Sequence, residues 1–145
     1  MRKMVTVTIL WLAASAAQAQ VSVQEAWTRA TPPGAKIAAG YLVVRNSGAA
    51  DHLVSVSSPA AERVETHVSV TEGGIARMRE VKGYDVPANG TLELKAGGSH
   101  LMFVNIKAPF KEGATVPATL KFQRAGEVKV QFAVRPLGAT EHHGH

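Results

Sequence analysis

The chain has 145 residues, with 16 Lys and Arg against 11 Asp and Glu, six His and no Cys, for a net charge of +5. Its basic residues are spread along the chain without a run, so the charge reads as a solubility property and not as the clustered stripe of a nucleic-acid binder. Without cysteine there can be no disulfide framework, no thiolate-based blue-copper site and no dithiol exchange. The fold must therefore rest on a hydrophobic core, which one domain of this length can supply.

The first segment has the three-part layout of a secretory signal. Arg2 and Lys3 form the positive end, an apolar stretch runs from Met4 to Ala14, and Ala17-Gln18-Ala19 fits the small-x-small cleavage rule. Cleavage after Ala19 is expected, giving a signal peptide over 1–19 and a mature start at Gln20. The apolar stretch is shorter than the ~20 residues a membrane span needs, so no span is expected after cleavage. Losing Arg2 and Lys3 lowers the basic count from 16 to 14 against 11 acidic residues, and the net charge to +3. The loss also removes Met1 and Met4, leaving Met78 and Met102 as the only methionines.

From Val21 the pattern is strand, turn, strand. Thr28 to Ala39, with Pro32-Pro33-Gly34, reads as a long loop. Gly40 to Asn46 is rich in β-formers and ends at the turn signal Asn46-Ser47-Gly48. Leu53 to Ser57 is a short strand closed by Ser58-Pro59, and His52 before it reads as a surface loop residue. Val64 to Val70 alternates, with Glu65, His67 and Ser69 on one face and the valines on the other. Gly73-Gly74 turns the chain and Ile75 to Val81 returns. Pro87 to Gly90 is a turn. Thr91 to Lys95, His100 to Ile106, Thr119 to Gln123 and Val128 to Val134 complete the strands.

No stretch after the signal shows a 3.6-residue period. Short alternating strands at roughly ten-residue spacing predict an all-β single domain over 20–137, a β-sandwich or Greek-key barrel. Residues 138–145 read as a flexible His-rich tail.

His100 and Met102 are two apart in a strand, so they share a face, which Val104 and Ile106 are expected to continue into the core. His67 and Met78 flank the Gly73-Gly74 turn. With Glu72 and Gly73 as central residues they pair directly; with Gly73 and Gly74 central they are diagonal neighbours on one face. A one-residue slip would separate them. Two imidazoles and two thioethers form a soft, thiol-free donor set suited to Cu(I). Thioethers are poor zinc ligands, and no His-x-Glu or His-Glu-x-x-His segment is present, so a zinc hydrolase is not expected and the protein reads as a carrier and not an enzyme. The tail residues His142, His143 and His145 are a second candidate metal site, suited to Cu(II).

The residues carrying this pattern resemble the periplasmic PCu(A)C-type copper chaperone family. Ala26-Trp27, Thr31-Pro32-Pro33-Gly34, the strand from Tyr41 to Asn46, Glu62 to His67, Gly98 to Met102 and Lys111-Glu112-Gly113 are similar to its motifs, over about Val21 to Val134. His67, Met78, His100 and Met102 fall on its four ligand positions. The resemblance implies a cupredoxin-like β-sandwich, periplasmic carriage of Cu(I), and delivery towards the dinuclear copper centre of cytochrome c oxidase. The implied partners are the copper-bearing oxidase subunit and a Sco-type thiol protein, and a monomer is expected. Copper storage or tolerance without an oxidase recipient is the alternative.

Overall fold

A computed structural model describes Lys3 and residues 20–138; the rest of the expected signal peptide and the His-rich tail past Gly138 lie outside the described residues. Ten strands follow one another: β1 (Val21–Arg29), β2 (Ile37–Asn46), β3 (Asp51–Ser57), β4 (Ala61–Glu72), β5 (Ile75–Glu80), β6 (Tyr84–Val86), β7 (Thr91–Leu94), β8 (Ser99–Ile106), β9 (Thr115–Phe122) and β10 (Gly126–Arg135). No helix occurs among the described residues. Seven strands close a barrel in the order β4-β8-β2-β1-β10-β9-β3, with β3 returning to β4. All the pairings are antiparallel except β1 with β10, which is parallel over Trp27–Arg29. Closure leaves the ring itself without an open edge.

The barrel interior is filled by the inward half of each alternation. Leu42, Val44, Leu101, Phe103, Leu120, Phe122, Phe132 and Val134 are all buried in one core cluster. Phe103 makes edge-to-face contacts with Phe110 and Phe132 at centroid separations of 5.5 and 5.4 Å, the arrangement aromatic quadrupoles favour. Gly40 makes room for this ring, since a Cβ there would lie 2.8 Å from Phe103.

Long β4 is the element that builds an appendage. Its first half lies against β3, through Val56↔Val64, and its second half pairs with β5 from His67↔Glu80 to Glu72↔Ile75. Its opposite edge pairs with β8 from Ala61 to Val68. The β4–β5 hairpin therefore extends past the barrel, and β5 is exposed at every residue.

Two sequence expectations change here. The expected loop over 28–39 is shortened at both ends to 30–36: β1 runs to Arg29, β2 begins at Ile37, and the Thr28 hydroxyl donates to the Ala39 carbonyl at 2.6 Å. Pairing with a partner strand extends both ends beyond what local composition shows. His52 is a β3 residue and not a loop residue. Its ring bridges the Asp85 carboxylate at 2.9 Å and the Lys82 carbonyl at 3.0 Å, and it is half-buried. The Asp85 hydrogen bond pushes its pKa above the usual imidazole value.

Candidate metal centre

The Gly73-Gly74 turn sets the first half of the site. Both glycines have positive φ, +59° and +79°, as a two-residue type I′ hairpin loop requires. That makes Glu72 pair with Ile75 and Ser69 with Met78, so His67 and Met78 are diagonal neighbours on one face. Of the two registers left open by the sequence, the Gly73-Gly74 one is observed.

The β4–β8 ladder brings in the second half. His67 pairs directly with His100, and Glu65 with Met102. The two imidazoles lie 5.6 Å apart between ring centroids, tilted by 35°. Directly paired residues share a face, so Glu65, His67, Met78, His100 and Met102 all project from one side of the β5-β4-β8 surface. This side is the outside of the barrel. Leu101 and Phe103 point inward, opposite Thr66 and Val64, and the two candidate ligands alternate with them.

The expected course of β8 is thus corrected. His100 and Met102 do not run through Val104 into the core; that half of the strand faces away from it. Ile106 does reach the core, but only after Asn105, where φ is +54° and the alternation breaks. The outer residues are nonetheless sheltered: His100 is 5% exposed and Met102 8%, against 61% for Met78.

Hydrogen bonds orient both rings. His67 Nε2 lies 2.8 Å from Glu65 Oε2, and Arg63 Nε donates to the other Glu65 oxygen at 2.8 Å. These two partners, His67 first, hold the Glu65 carboxyl below its usual range. In the neutral His67 tautomer that donates Nε2–H to the carboxylate, the lone pair lies on Nδ1. That atom is buried and has no hydrogen-bond partner among the described residues. A buried acceptor left unpaired is costly unless something fills the position. His100 is the mirror case: its Nδ1 lies 3.1 Å from the Gly98 carbonyl, so the tautomer assigned from that partner leaves Nε2 as the donor atom. Fixing one ring nitrogen to aim the other is how proteins orient metal-binding imidazoles.

Three contributing residues escape a sequence reading. Glu65 was legible only as a face-mate of His67. Thr66 points inward and donates to the Val81 carbonyl at 2.5 Å, while the Gly83 amide donates back to its hydroxyl. Tyr84, on the three-residue β6, sends its hydroxyl under the ladder to within 2.6 Å of the His67 carbonyl and 2.7 Å of the His100 carbonyl. Burial pushes that phenol up to about 12, so it remains a donor shared by the two carbonyls. No local periodicity could mark a strand that short.

Among the described residues, no three His, Asp or Glu side chains form a group able to hold a metal. His142, His143 and His145 lie outside the described residues.

A closed all-β barrel of cupredoxin-like type, bearing a cluster of imidazole and thioether donors on its outer wall, defines the class. The sequence pattern of the family "Putative lipoprotein LpqE-like" matches residues 21–134, and the chain belongs to this family. A relative in Leifsonia xyli subsp. xyli, "Putative lipoprotein Lxx21020", is 35% identical over 126 residues, covering 85% of this chain and 75% of the relative. Among solved structures, the copper-bound PCuAC domain from PmoF2 superposes with a TM-score of 0.70 at 27% identity, covering 81% of this chain and 93% of that domain. The CuI-DR1885 solution structure from Deinococcus radiodurans superposes at 0.65 with 35% identity, covering 83% of each chain. The PmoF2 relative is thus a PCuAC domain, the class that the sequence motifs resemble.

Proposed function

We propose that the protein is an exported, periplasmic copper chaperone that binds one Cu(I) ion as cargo through His67, Met78, His100 and Met102. The observation that carries this reading is the buried Nδ1 of His67, without a hydrogen-bond partner among the described residues and set opposite His100 on a face shared with both thioethers. The donor set fits a soft monovalent ion, because thioethers and neutral imidazoles suit Cu(I) and offer little to hard cations. Support comes from the relatives, two of which are described with copper or Cu(I) bound, and from the lipoprotein name of the family, which fits export.

Each residue has a distinct part. His67 and His100 would present Nδ1 and Nε2, aimed by Glu65 and the Gly98 carbonyl. Met102 would supply a sheltered thioether and Met78 an exposed one. An exposed donor can be exchanged for a donor of an incoming partner while the sheltered three retain the ion. That asymmetry favours handover over storage. The recipient proposed is the dinuclear copper centre of cytochrome c oxidase, with a Sco-type thiol protein acting alongside. The tail histidines are proposed as a secondary Cu(II) site.

Titration of a Met78→Ala, Met102→Ala double variant against a Cu(I) chelator tests the reading. Affinity should fall by more than about tenfold, and unchanged affinity would overturn it. X-ray absorption of the Cu(I)-loaded protein should count both sulfur and nitrogen neighbours. Failure to pass copper to the isolated copper-bearing oxidase domain would overturn the recipient alone.

A further inference from the structure

From Gln20 onward the chain contains two sulfur atoms, those of Met78 and Met102. They differ sharply in access. Met102 is 8% exposed, flanked along β8 by the core residues Leu101 and Phe103 and paired with Glu65 and Ala39 on the neighbouring strands. Met78 is 61% exposed in the middle of β5, a strand with no buried residue and with its outer edge unpaired among the described residues. Thioether oxidation needs the oxidant to reach the sulfur, so two chemically equal methionines will react at unequal rates.

We infer that Met78 is a modification site, oxidised by hydrogen peroxide or an organic hydroperoxide to the sulfoxide, and that this modification controls copper uptake. The inference rests on the copper reading above. In the reaction the Sδ lone pair attacks one peroxide oxygen, an S–O bond forms and the O–O bond breaks. The departing hydroxide, or alkoxide from an organic hydroperoxide, takes the proton left on the new S–OH group, so water or an alcohol leaves and the sulfoxide remains. Sulfur loses two electrons and the peroxide gains them. The lone pair consumed is a soft donor of the copper set. Its replacement is a polar S=O group, a harder and bulkier donor that suits Cu(I) poorly. Two imidazoles and the sheltered Met102 remain, so binding weakens without vanishing. Bound metal engages the same sulfur, which directs the reaction to the empty carrier. The change is reversible by a methionine sulfoxide reductase.

The test treats the purified chain with hydrogen peroxide, metal-free and loaded with Ag(I), a redox-inert stand-in for Cu(I). Peptide mass spectrometry locates the added oxygen, and chelator competition measures Cu(I) affinity before and after. Met78 should be oxidised many-fold faster than Met102, Ag(I) should slow this, and affinity should fall about tenfold and recover with reductase. Met78→Leu should start at the weakened affinity and lose its sensitivity to peroxide. Equal rates at the two methionines overturn the inference while leaving the copper reading intact; unchanged affinity once Met78 is oxidised overturns the inference and also removes Met78 from the ligand set. An untreated protein that binds no Cu(I) overturns both.

Discussion

The two sides of the candidate site are built on different physical terms. The β4–β8 side is part of the barrel wall. Its His67–His100 pair is backed by Leu101 and Phe103, and the Tyr84 hydroxyl ties the two histidine carbonyls from beneath. The β5 side is a two-stranded extension, held to β4 by ladder bonds and to the barrel through Val81 and Gly83 at its base. One side is preorganised, so little ordering entropy would be lost on holding an ion there; on the proposed reading the other would have to be immobilised. A rigid platform with one loosely held donor suits a site that must bind and also release.

Removing the platform should have the largest effect. His67→Ala with His100→Ala should abolish competitive Cu(I) binding, whereas Met78→Leu should only weaken it, as chelator titration would report. If Met78→Leu is equally damaging, the two sides are not unequal. Stability should divide along the same line. Phe103→Ala is expected to cost about 3–5 kcal/mol, because it empties the core beneath the platform. Ile75→Ala, on exposed β5, should stay within about 0.5 kcal/mol, both read from urea unfolding. Tyr84→Phe should cost about 1 kcal/mol by losing the buried hydroxyl and should also lower Cu(I) affinity, since the histidine carbonyls lose their shared donor. A stability loss with unaltered affinity would make Tyr84 a fold residue only.

The smallest effect concerns the latch at the base of β5. Asp85 raises the His52 pKa above its unfolded value of 6.5. The folded state therefore binds the proton more tightly, and the added stability is full below 6.5 and fades as pH rises through the folded value. His52→Gln should thus destabilise more at about pH 5.5 than at about pH 8. The opposite trend in urea midpoints would remove the latch from the account.

Much of this was legible in one dimension. Strand alternation marked β4 and most of β8, and Gly73-Gly74 marked the turn, because both are consequences of local backbone geometry. The sequence left two hairpin registers open. Positive φ at both glycines selects one of them, and with it the diagonal placing of Met78. What could not be read was which side of β8 meets the core. His100-Met102-Val104-Ile106 looks as apolar as Leu101-Phe103, and composition cannot tell a sheltered outer face from an inner one. The break at Asn105 hid the answer further.

Taken alone, the order of residues fixes an all-β chain without thiols and its complement of soft donor atoms, since these follow from side-chain chemistry and period-two patterning. Barrel closure decided the rest. It laid β4 against β8 across more than thirty residues of chain, put His67, His100 and Met102 on an outer wall beside the β5 extension that carries Met78, and brought Tyr84 beneath the histidine pair. Such pairings are chosen by which strands can bury their inward faces together, and that choice is made only by the whole fold.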